Sequence, residues 1–250
     1  MPYVEETCEA GVTLEICRYH SYRHHAPGEK RATKENETSE SQKKVNQRKA
    51  EKELRRLMNA NFQDGDLLVR LDFFKEKRPP DSTAMQEAMK KMIRRLRTKC
   101  RKNHKELKYI YVKEAGSRGG RHVHMMMSKV DTDILREVWP YGGIHVDPLI
   151  SNGQYAKIAA YFIKYAERTE KTEGKLLGKR WYGSRNLTKP KVRKRIISAK
   201  TFRREIRERK GYILDKDSVQ SGISAITGYE YFSYTLIRTD KEGGGGIDGS

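Results

Sequence analysis

The alternation of apolar and polar residues divides the chain into helix-like and strand-like segments. Apolar residues recur every three or four positions from Val45, from Met85 to Leu96 and from Tyr155 to Arg168, which predicts helices there. Short apolar runs rich in β-branched and aromatic residues predict strands at 67–74, 108–113, 121–127 and 144–149. Because these elements are mixed and several connections are short and hairpin-like, the predicted fold class is α+β with a largely antiparallel sheet.

Composition divides the same chain into four regions. Residues 1–45 are polar and are expected to be irregular and partly disordered. Residues 46–170 contain the helices and strands just described and form the predicted core. Residues 171–238 are a basic extension that becomes strand-like again from residue 211, and residues 239–250 are a glycine-rich, flexible tail.

The charge of the chain points to a polyanionic partner. It has 53 Lys and Arg against 33 Asp and Glu, a formal net charge of +20. Residues 90–108 hold ten basic residues and one acidic residue, and residues 175–210 hold fifteen and two. Trp181, Tyr182 and Phe202 are interleaved with the second group. Cations that meet phosphates, next to aromatic rings on which bases stack, are typical of proteins that bind single-stranded DNA.

Several other classes are excluded by the sequence. No apolar run approaches the ~20 residues needed to cross a bilayer, and no apolar secretion signal is present, so no membrane partner is expected. Three cysteines, Cys8, Cys17 and Cys100, make no disulfide framework and favour a reducing interior. The sequence contains no helicase or ATPase motif, so DNA unwinding would need a partner protein.

A pair of histidines is the sharpest chemical feature. His122 and His124 of the HVH motif fall on one face of the 121–127 strand, because positions two apart on a strand point the same way. Glu114, on the strand that should pair with this one, is placed to supply an oxygen ligand. Two imidazoles and one carboxylate leave open positions on Mg²⁺ or Mn²⁺ for a substrate phosphate. His145, in an apolar run, is interpreted as structural.

A second feature is a helix face that carries two tyrosines and three cations. Lys157, Tyr161, Lys164, Tyr165 and Arg168 share this face at helical spacing. A tyrosine hydroxyl can attack a phosphodiester, and nearby cations stabilise the negative charge that develops. The alternative is an amphipathic helix whose tyrosines lie at the rim of the core.

The order of these motifs resembles a known family. Glu114, then HVH, then YFIKYAER at 161–168 resembles the HUH endonucleases, and more narrowly the rolling-circle replication initiators of single-stranded-DNA phages and plasmids. YFIKY is similar to the two-tyrosine motif of the gene A type of phage initiator. The resemblance implies a ferredoxin-like (RRM-like) antiparallel sheet with helices packed on one face, the histidines on a central strand and the tyrosines on an adjacent helix. It implies a metal-dependent, site-specific single-stranded DNA endonuclease and strand transferase that forms a 5′-phosphotyrosine intermediate.

The resemblance and the charge pattern assign expected roles to individual residues and regions. Residues 46–170 become the nuclease core and residues 171–238 a DNA-binding extension. The predicted catalytic residues are Tyr161, Tyr165 and Lys164, and the predicted ligands of Mg²⁺ or Mn²⁺ are Glu114, His122 and His124. The predicted DNA-binding residues are Lys157, Arg168, Arg118, Arg121, Arg94, Arg95, Arg180, Trp181 and Arg185. The expected partners are single-stranded DNA or an extruded replication origin, a host helicase and a host DNA polymerase, in the cytoplasm of a bacterial cell.

Two other functions agree with the same residues. The first is a non-catalytic, RRM-like nucleic-acid-binding protein in which His122 and His124 are merely packed. The second is an HUH enzyme used in conjugation or transposition. A covalent protein–DNA adduct would separate the enzymes from the binding protein.

Overall fold

The computed structural model describes residues 2–21, 40–116, 119–150, 152–173, 179–198, 201–224 and 227–239. These residues form four α-helices and two five-stranded antiparallel sheets, so the predicted α+β class is confirmed. The chain divides into two compact units, a first unit of residues 1–46 with 190–250 and a second unit of residues 47–189. Arg118, residues 22–39 of the predicted N-terminal segment and residues 240–250 of the predicted tail lie outside the described residues.

The bounds of the elements agree with the sequence predictions most closely in the middle of the chain. The predicted strand 121–127 coincides with β5, whereas α1 begins before Val45 and α4 continues beyond Arg168. The described helices are too short or too polar to span a bilayer. The strands are β1 (Tyr3–Ala10), β2 (Thr13–His20), β3 (Leu67–Asp72), β4 (Tyr109–Ala115), β5 (Arg121–Met127), β6 (Ile144–Pro148), β7 (Tyr182–Gly183), β8 (Val192–Ile196), β9 (Tyr212–Ile223) and β10 (Glu230–Arg238); the helices are α1 (Glu40–Asn59), α2 (Ser82–Lys102), α3 (Thr132–Val138) and α4 (Ala156–Glu173).

In the second unit, helices cover both faces of the sheet, which has the strand order β6-β3-β5-β4-β7. Helices α2 and α3 pack on one face, and α1 and α4 pack on the other. This corrects the expectation that helices lie on one face. The reason is that the central strands are apolar on both sides: in β5, Met125 and Met127 face α2 while Met126 faces α4. As the resemblance implied, the histidines lie on the central strand β5.

The first unit corrects the expectation that residues 1–45 are irregular. Residues 3–20 form the hairpin β1–β2, which is central in a sheet of order β8-β1-β2-β10-β9. The polar composition of residues 1–45 did not indicate these strands, because several charged side chains of the hairpin are buried in ion pairs. Arg18 is 1 % exposed and donates a 2.7 Å hydrogen bond from Nε to Glu5, which also accepts one from Arg195. Charged residues are expected at the protein surface, but paired charges of this kind can occupy interior positions.

Glu5 makes the stability of the first unit dependent on pH. Burial raises the pKa of its carboxyl, but hydrogen bonds from Arg18 and Arg195 and their charges outweigh burial, so the pKa lies below its ordinary value of 4.5. A carboxyl whose pKa is lowered by folding stabilises the protein above its unfolded-state pKa, and this contribution is lost as the pH falls through the folded-state value.

We therefore expect Glu5→Gln to lower the free energy of unfolding by about 3 kcal/mol at pH 7, because it leaves the Arg18 charge buried without its partner. The difference from the wild type should shrink as the pH falls below 4.5, because Glu5 is then protonated in the unfolded chain and, at still lower pH, in the folded protein. Urea unfolding at pH 7 and in a series down to pH 3 measures this. Glu9→Gln, at an exposed position of the same strand, is the matched control. A deficit that does not change with pH would contradict the assignment.

Candidate active site

A row of polar side chains crosses the centre of the second sheet on the face that packs against α4. The antiparallel register places Asp72 of β3 opposite His122 of β5, and His122 opposite Glu114 of β4. His124 lies on the same face two residues along β5, as the period of a strand requires. Cross-strand pairing and the strand period therefore bring together two carboxylates and two imidazoles from three strands.

The imidazoles and carboxylates of this row are hydrogen-bonded in pairs. His122 Nδ1 lies 2.7 Å from Asp72 Oδ1, and His124 Nε2 lies 2.8 Å from Glu114 Oε2. His145 of β6 also reaches Asp72, with Nε2 3.0 Å from Oδ2. An ionised carboxylate only accepts hydrogen bonds, so in each pair the imidazole nitrogen donates. In a neutral imidazole, the second ring nitrogen then carries a lone pair that can bind a cation.

Both carboxylates of the row are held in their ionised form. Burial raises the pKa of Glu114, but hydrogen bonds and charges from His124 and Arg168 outweigh it, and the pKa lies below its usual range. The pKa of Asp72 is likewise raised by burial and lowered by more through His122 and Arg70. The site therefore presents fixed negative charge next to its imidazoles at neutral pH.

Asp72 is fixed by its backbone as well as by its side chain. Its N–H donates to Gly143 O at 2.9 Å, and Trp139 Nε1 donates to Asp72 O at 3.1 Å. A Cβ at Gly142 would lie 2.0 Å from Asp72 O, so the loop can approach this closely only with glycine at that position. These contacts hold the end of β3 against the β6 side of the sheet.

The two tyrosines lie beside this row but in different environments. The Tyr165 ring stacks on the His124 ring, with centroids 3.8 Å apart and planes 5° apart. The Tyr161 ring meets Tyr165 edge-on at 5.2 Å and is 57 % exposed. Lys164 Nζ lies 5.9 Å from the centre of the Tyr161 ring. One tyrosine is thus accessible to a substrate, and the other is packed against the sheet.

The Tyr165 hydroxyl is hard to ionise. Burial raises the pKa of its hydroxyl, and the nearby Glu114 carboxylate and Tyr161 raise it further, to about 12, against the opposing charge of Arg168. The Arg168 guanidinium lies 5.9 Å from the centre of the Tyr165 ring and hydrogen-bonds Glu114. Arg168 therefore connects α4, which carries both tyrosines, to the Glu114 carboxylate on β4.

The predicted metal ligands are brought to one face, but not into one ligand set. Glu114 pairs with His124, and His122 pairs with Asp72 instead. Among the described residues, no three His, Cys, Asp or Glu side chains converge with the arrangement of a metal site. Metal binding by Glu114, His122 and His124 remains a prediction.

The predicted DNA-binding residues are distributed over several surfaces. Arg94 and Arg95 are exposed on α2, Lys157 is exposed on α4, and Arg185 is exposed after β7. Arg180 and Trp181 are half-buried. These assignments also remain predictions.

Arg121 is partly enclosed by polar contacts. Its guanidinium forms an ion pair with Glu173 in which the Arg121 side chain is 14 % exposed, and it also donates to Pro80 O at 2.6 Å. Arg121 therefore connects β5 to the end of α4 and to the segment before α2.

Sequence reasoning missed Asp72 and interpreted His145 as structural. Asp72 lies inside the apolar run 67–74, so it was interpreted as part of a buried strand, and nothing local linked it to a histidine fifty positions later. His145 also lies in an apolar run, yet its side chain is 58 % exposed and it reaches Asp72. The alternation of side chains along a strand could have indicated both residues. Asp72 and His145 lie on the polar faces of β3 and β6, and in the sheet these faces lie on the same side as the face of β5 that carries His122 and His124.

Comparison with known proteins gives one match. Residues 68–170 match the family model of the replication-associated protein ORF2/G2P. This segment runs from β3 to α4 and contains both tyrosines. It also contains Asp72, Glu114, His122 and His124, which together are called the carboxylate–histidine row. No curated protein and no solved structure shows a significant match.

Proposed function

We propose that this protein initiates rolling-circle DNA replication as a single-stranded DNA endonuclease and strand transferase of the HUH type. The observation that carries the proposal is the exposed Tyr161 next to Tyr165, which stacks on His124 of the carboxylate–histidine row. The match to a replication-associated family over the same residues supports it. The large positive charge supports a nucleic-acid substrate.

The reaction follows from the chemistry of the exposed tyrosine. The Tyr161 hydroxyl loses its proton and its oxygen attacks the scissile phosphorus, which breaks the bond from phosphorus to the 3′ oxygen. The products are a 5′-phosphotyrosine linkage and a 3′ oxygen that takes up a proton to become a hydroxyl. The free 3′-hydroxyl can prime synthesis by a polymerase, and a host helicase would unwind the duplex. Lys164 supplies positive charge next to the attacking ring.

The carboxylate oxygens and imidazole nitrogens of the carboxylate–histidine row are suitable ligands for a divalent cation such as Mg²⁺ or Mn²⁺. Two ionised carboxylates offer oxygen ligands, and His122 keeps Nε2 free because Nδ1 is engaged by Asp72. A Cβ on Gly120 would lie 3.1 Å from this Nε2, so glycine leaves the approach open. We infer that Glu114, His122 and His124, with Asp72, would hold the ion after turning from their present pairing. Such an ion polarises the scissile phosphate when bound.

A direct test is the incubation of end-labelled single-stranded DNA with the purified protein and Mn²⁺. We expect a labelled band of reduced mobility on a denaturing gel that disappears after protease treatment. DNA that is retained under native conditions but forms no adduct would instead select a non-catalytic binding protein. Cleavage that yields a free 5′-phosphate and no protein linkage would refute the tyrosine mechanism.

Removal of one anionic ligand should change the metal requirement. We expect Glu114→Gln to raise the Mn²⁺ concentration that gives half-maximal cleavage by roughly tenfold or more, because the amide keeps the shape but loses the charge. Cleavage rates over a Mn²⁺ titration measure this. Glu170→Gln, at an exposed position of α4, is the matched control. An unchanged Mn²⁺ titration for Glu114→Gln would remove Glu114 from the site.

A further inference from the structure

The second unit contains a cavity of about 930 Å³ at the β7 edge of its sheet, here called the edge cavity. One wall is the outer face of α2, and the other is the segment 181–186. Tyr109 and Tyr111 of β4 line the space between them. Its volume is within the range of roughly 300–1,000 Å³ that is usual for small-ligand sites.

Seven Lys and Arg residues and one acidic residue, Glu106, line the edge cavity, so its charge is strongly positive. Arg94 and Arg101, with Lys90 and Arg97, form one stripe along α2 at helical spacing, and Arg185 lies on the opposite wall. Arg94, Arg101 and Arg185 form no ion pair with any carboxylate in the described part of the chain. Cations collected in a concave site without neutralising partners favour an anionic ligand.

The aromatic rings of the edge cavity offer surfaces on which bases can stack. The Tyr111 and Tyr182 rings are stacked, with centroids 5.1 Å apart and planes 13° apart. Trp181 and Tyr182 are half-buried, so part of each ring is accessible. Rings beside cations match the two parts of a single-stranded nucleotide, its base and its phosphate. In a duplex the base faces are covered by neighbouring pairs, so the rings favour a single strand.

The wall that carries Trp181 is held in place by the backbone and by polar side chains. Ser184 N donates to Tyr109 O at 2.9 Å, and Thr188 N donates to Asn61 Oδ1 at 2.7 Å. A site whose walls are already fixed loses little conformational entropy when a ligand binds. The edge cavity is therefore a formed site.

The β4 residues that line the edge cavity point to the opposite face of the sheet from the tyrosine pair. Tyr109 and Tyr111 belong to the cluster that packs against α2, whereas Ile110 and Val112 pack with α4, and Glu114 shares their face. A nucleotide on the Tyr109 side of the edge cavity would be separated by the sheet from the candidate catalytic residues, whereas Leu57 and Trp181, which also line the cavity, pack with the cluster that contains Tyr165. Such a nucleotide would contribute affinity and position the strand, while the chemistry occurs on the other face.

We propose that the edge cavity binds a non-reacting part of the single-stranded DNA substrate, on the order of two nucleotides. The phosphates contact the α2 cations, and a base stacks on Trp181 or Tyr182. This inference rests on the proposed function for the identity of the strand, but it assigns a separate site. It also divides the predicted DNA-binding residues: Arg94, Trp181 and Arg185 line the cavity, whereas Arg95 and Lys157 do not.

The test compares two charge reversals on the same helix. The variant Arg94→Glu/Arg101→Glu changes the edge cavity, and Lys91→Glu/Lys102→Glu changes exposed cations of α2 that do not line it. Fluorescence anisotropy with labelled oligo(dT) measures affinity over a salt series. We expect the cavity variant to lose at least about tenfold more affinity than the control, with a log–log salt slope shallower by about 1.4, since each single-strand phosphate contact contributes about 0.7. Trp181→Leu should lose about tenfold without a change of slope, because the stacking surface is reduced while no charge changes.

The outcomes separate this inference from the proposed function. Equal losses in the two charge-reversed variants, or an unchanged affinity in Trp181→Leu, would overturn the edge cavity as a binding site, even if the wild type forms the covalent adduct. If the wild type binds oligo(dT) through the edge cavity but forms no adduct with Mn²⁺, the enzyme proposal fails and the binding site stands. Far-UV circular dichroism and thermal unfolding of each variant confirm that the comparison is made between folded proteins.

Discussion

Tyr161→Phe is expected to eliminate the first covalent adduct with single-stranded DNA, whereas Tyr165→Phe should retain it. The Tyr161 ring is exposed, so its hydroxyl can reach a phosphate of a DNA strand bound at the protein surface. Tyr165 is stacked on His124 and the pKa of its hydroxyl is raised to about 12, so very little of it is ionised at neutral pH. Phenylalanine keeps the ring packing and removes only the reacting oxygen.

The expected sizes of these effects are very different. Loss of the attacking oxygen should lower the rate of adduct formation by at least about 10³-fold, because no other group can form the same linkage. Tyr165→Phe should keep the first cut within a few-fold and lose much of the second transfer, which releases the circle. Denaturing gels of a single-cut substrate and of a substrate with two sites measure the two steps separately.

The reverse pattern would overturn this order of attack. If Tyr165→Phe abolishes the first adduct while Tyr161→Phe retains it, the packed tyrosine is the first nucleophile. Tyr155→Phe is not a suitable control because Tyr155 is buried in the core. A suitable control is Tyr141, which lies near the β6 edge of the sheet. Tyr141→Phe should leave both transfers unchanged.

His122→Ala and His124→Ala are expected to abolish cleavage while leaving affinity for single-stranded DNA within about twofold. Cleavage should fall on the order of 10³-fold, because each change removes one imidazole from the proposed ion site. Affinity should persist because the cations of the protein supply most of the sequence-independent binding to phosphates. Cleavage with saturating DNA and anisotropy with uncleaved DNA measure the two quantities on the same protein.

The two histidine variants should also differ from each other in a second property. His124 supports the Tyr165 ring, so His124→Ala removes packing as well as a donor and should lower the melting temperature more than His122→Ala does. His104→Asn is the control, since His104 has a φ of 51° that asparagine tolerates. Wild-type cleavage by either alanine variant in Mn²⁺ would remove that histidine from the site.

The sequence predicted the elements of the candidate site better than it predicted their partners. His122 and His124 share a face because strand geometry alternates side chains, and Tyr161 and Tyr165 share a face because a helix repeats every 3.6 residues. Both relations are local and can be counted along the chain. The hairpin β1–β2 was missed for the opposite reason, since Arg18 and Glu5 read as surface charges until their burial as a pair is seen.

The amino-acid sequence by itself determined the fold class, the histidine face, the tyrosine face and the excess of positive charge. Only the tertiary structure decided that His122 pairs with Asp72, that Arg168 joins Glu114, and that Tyr161 is exposed while Tyr165 is packed. These relations depend on strand register and on how α4 lies across the sheet, which the whole set of core contacts determines together. Local periodicity fixes which residues share a face of one element, but it carries no information about which residues of another element lie opposite them.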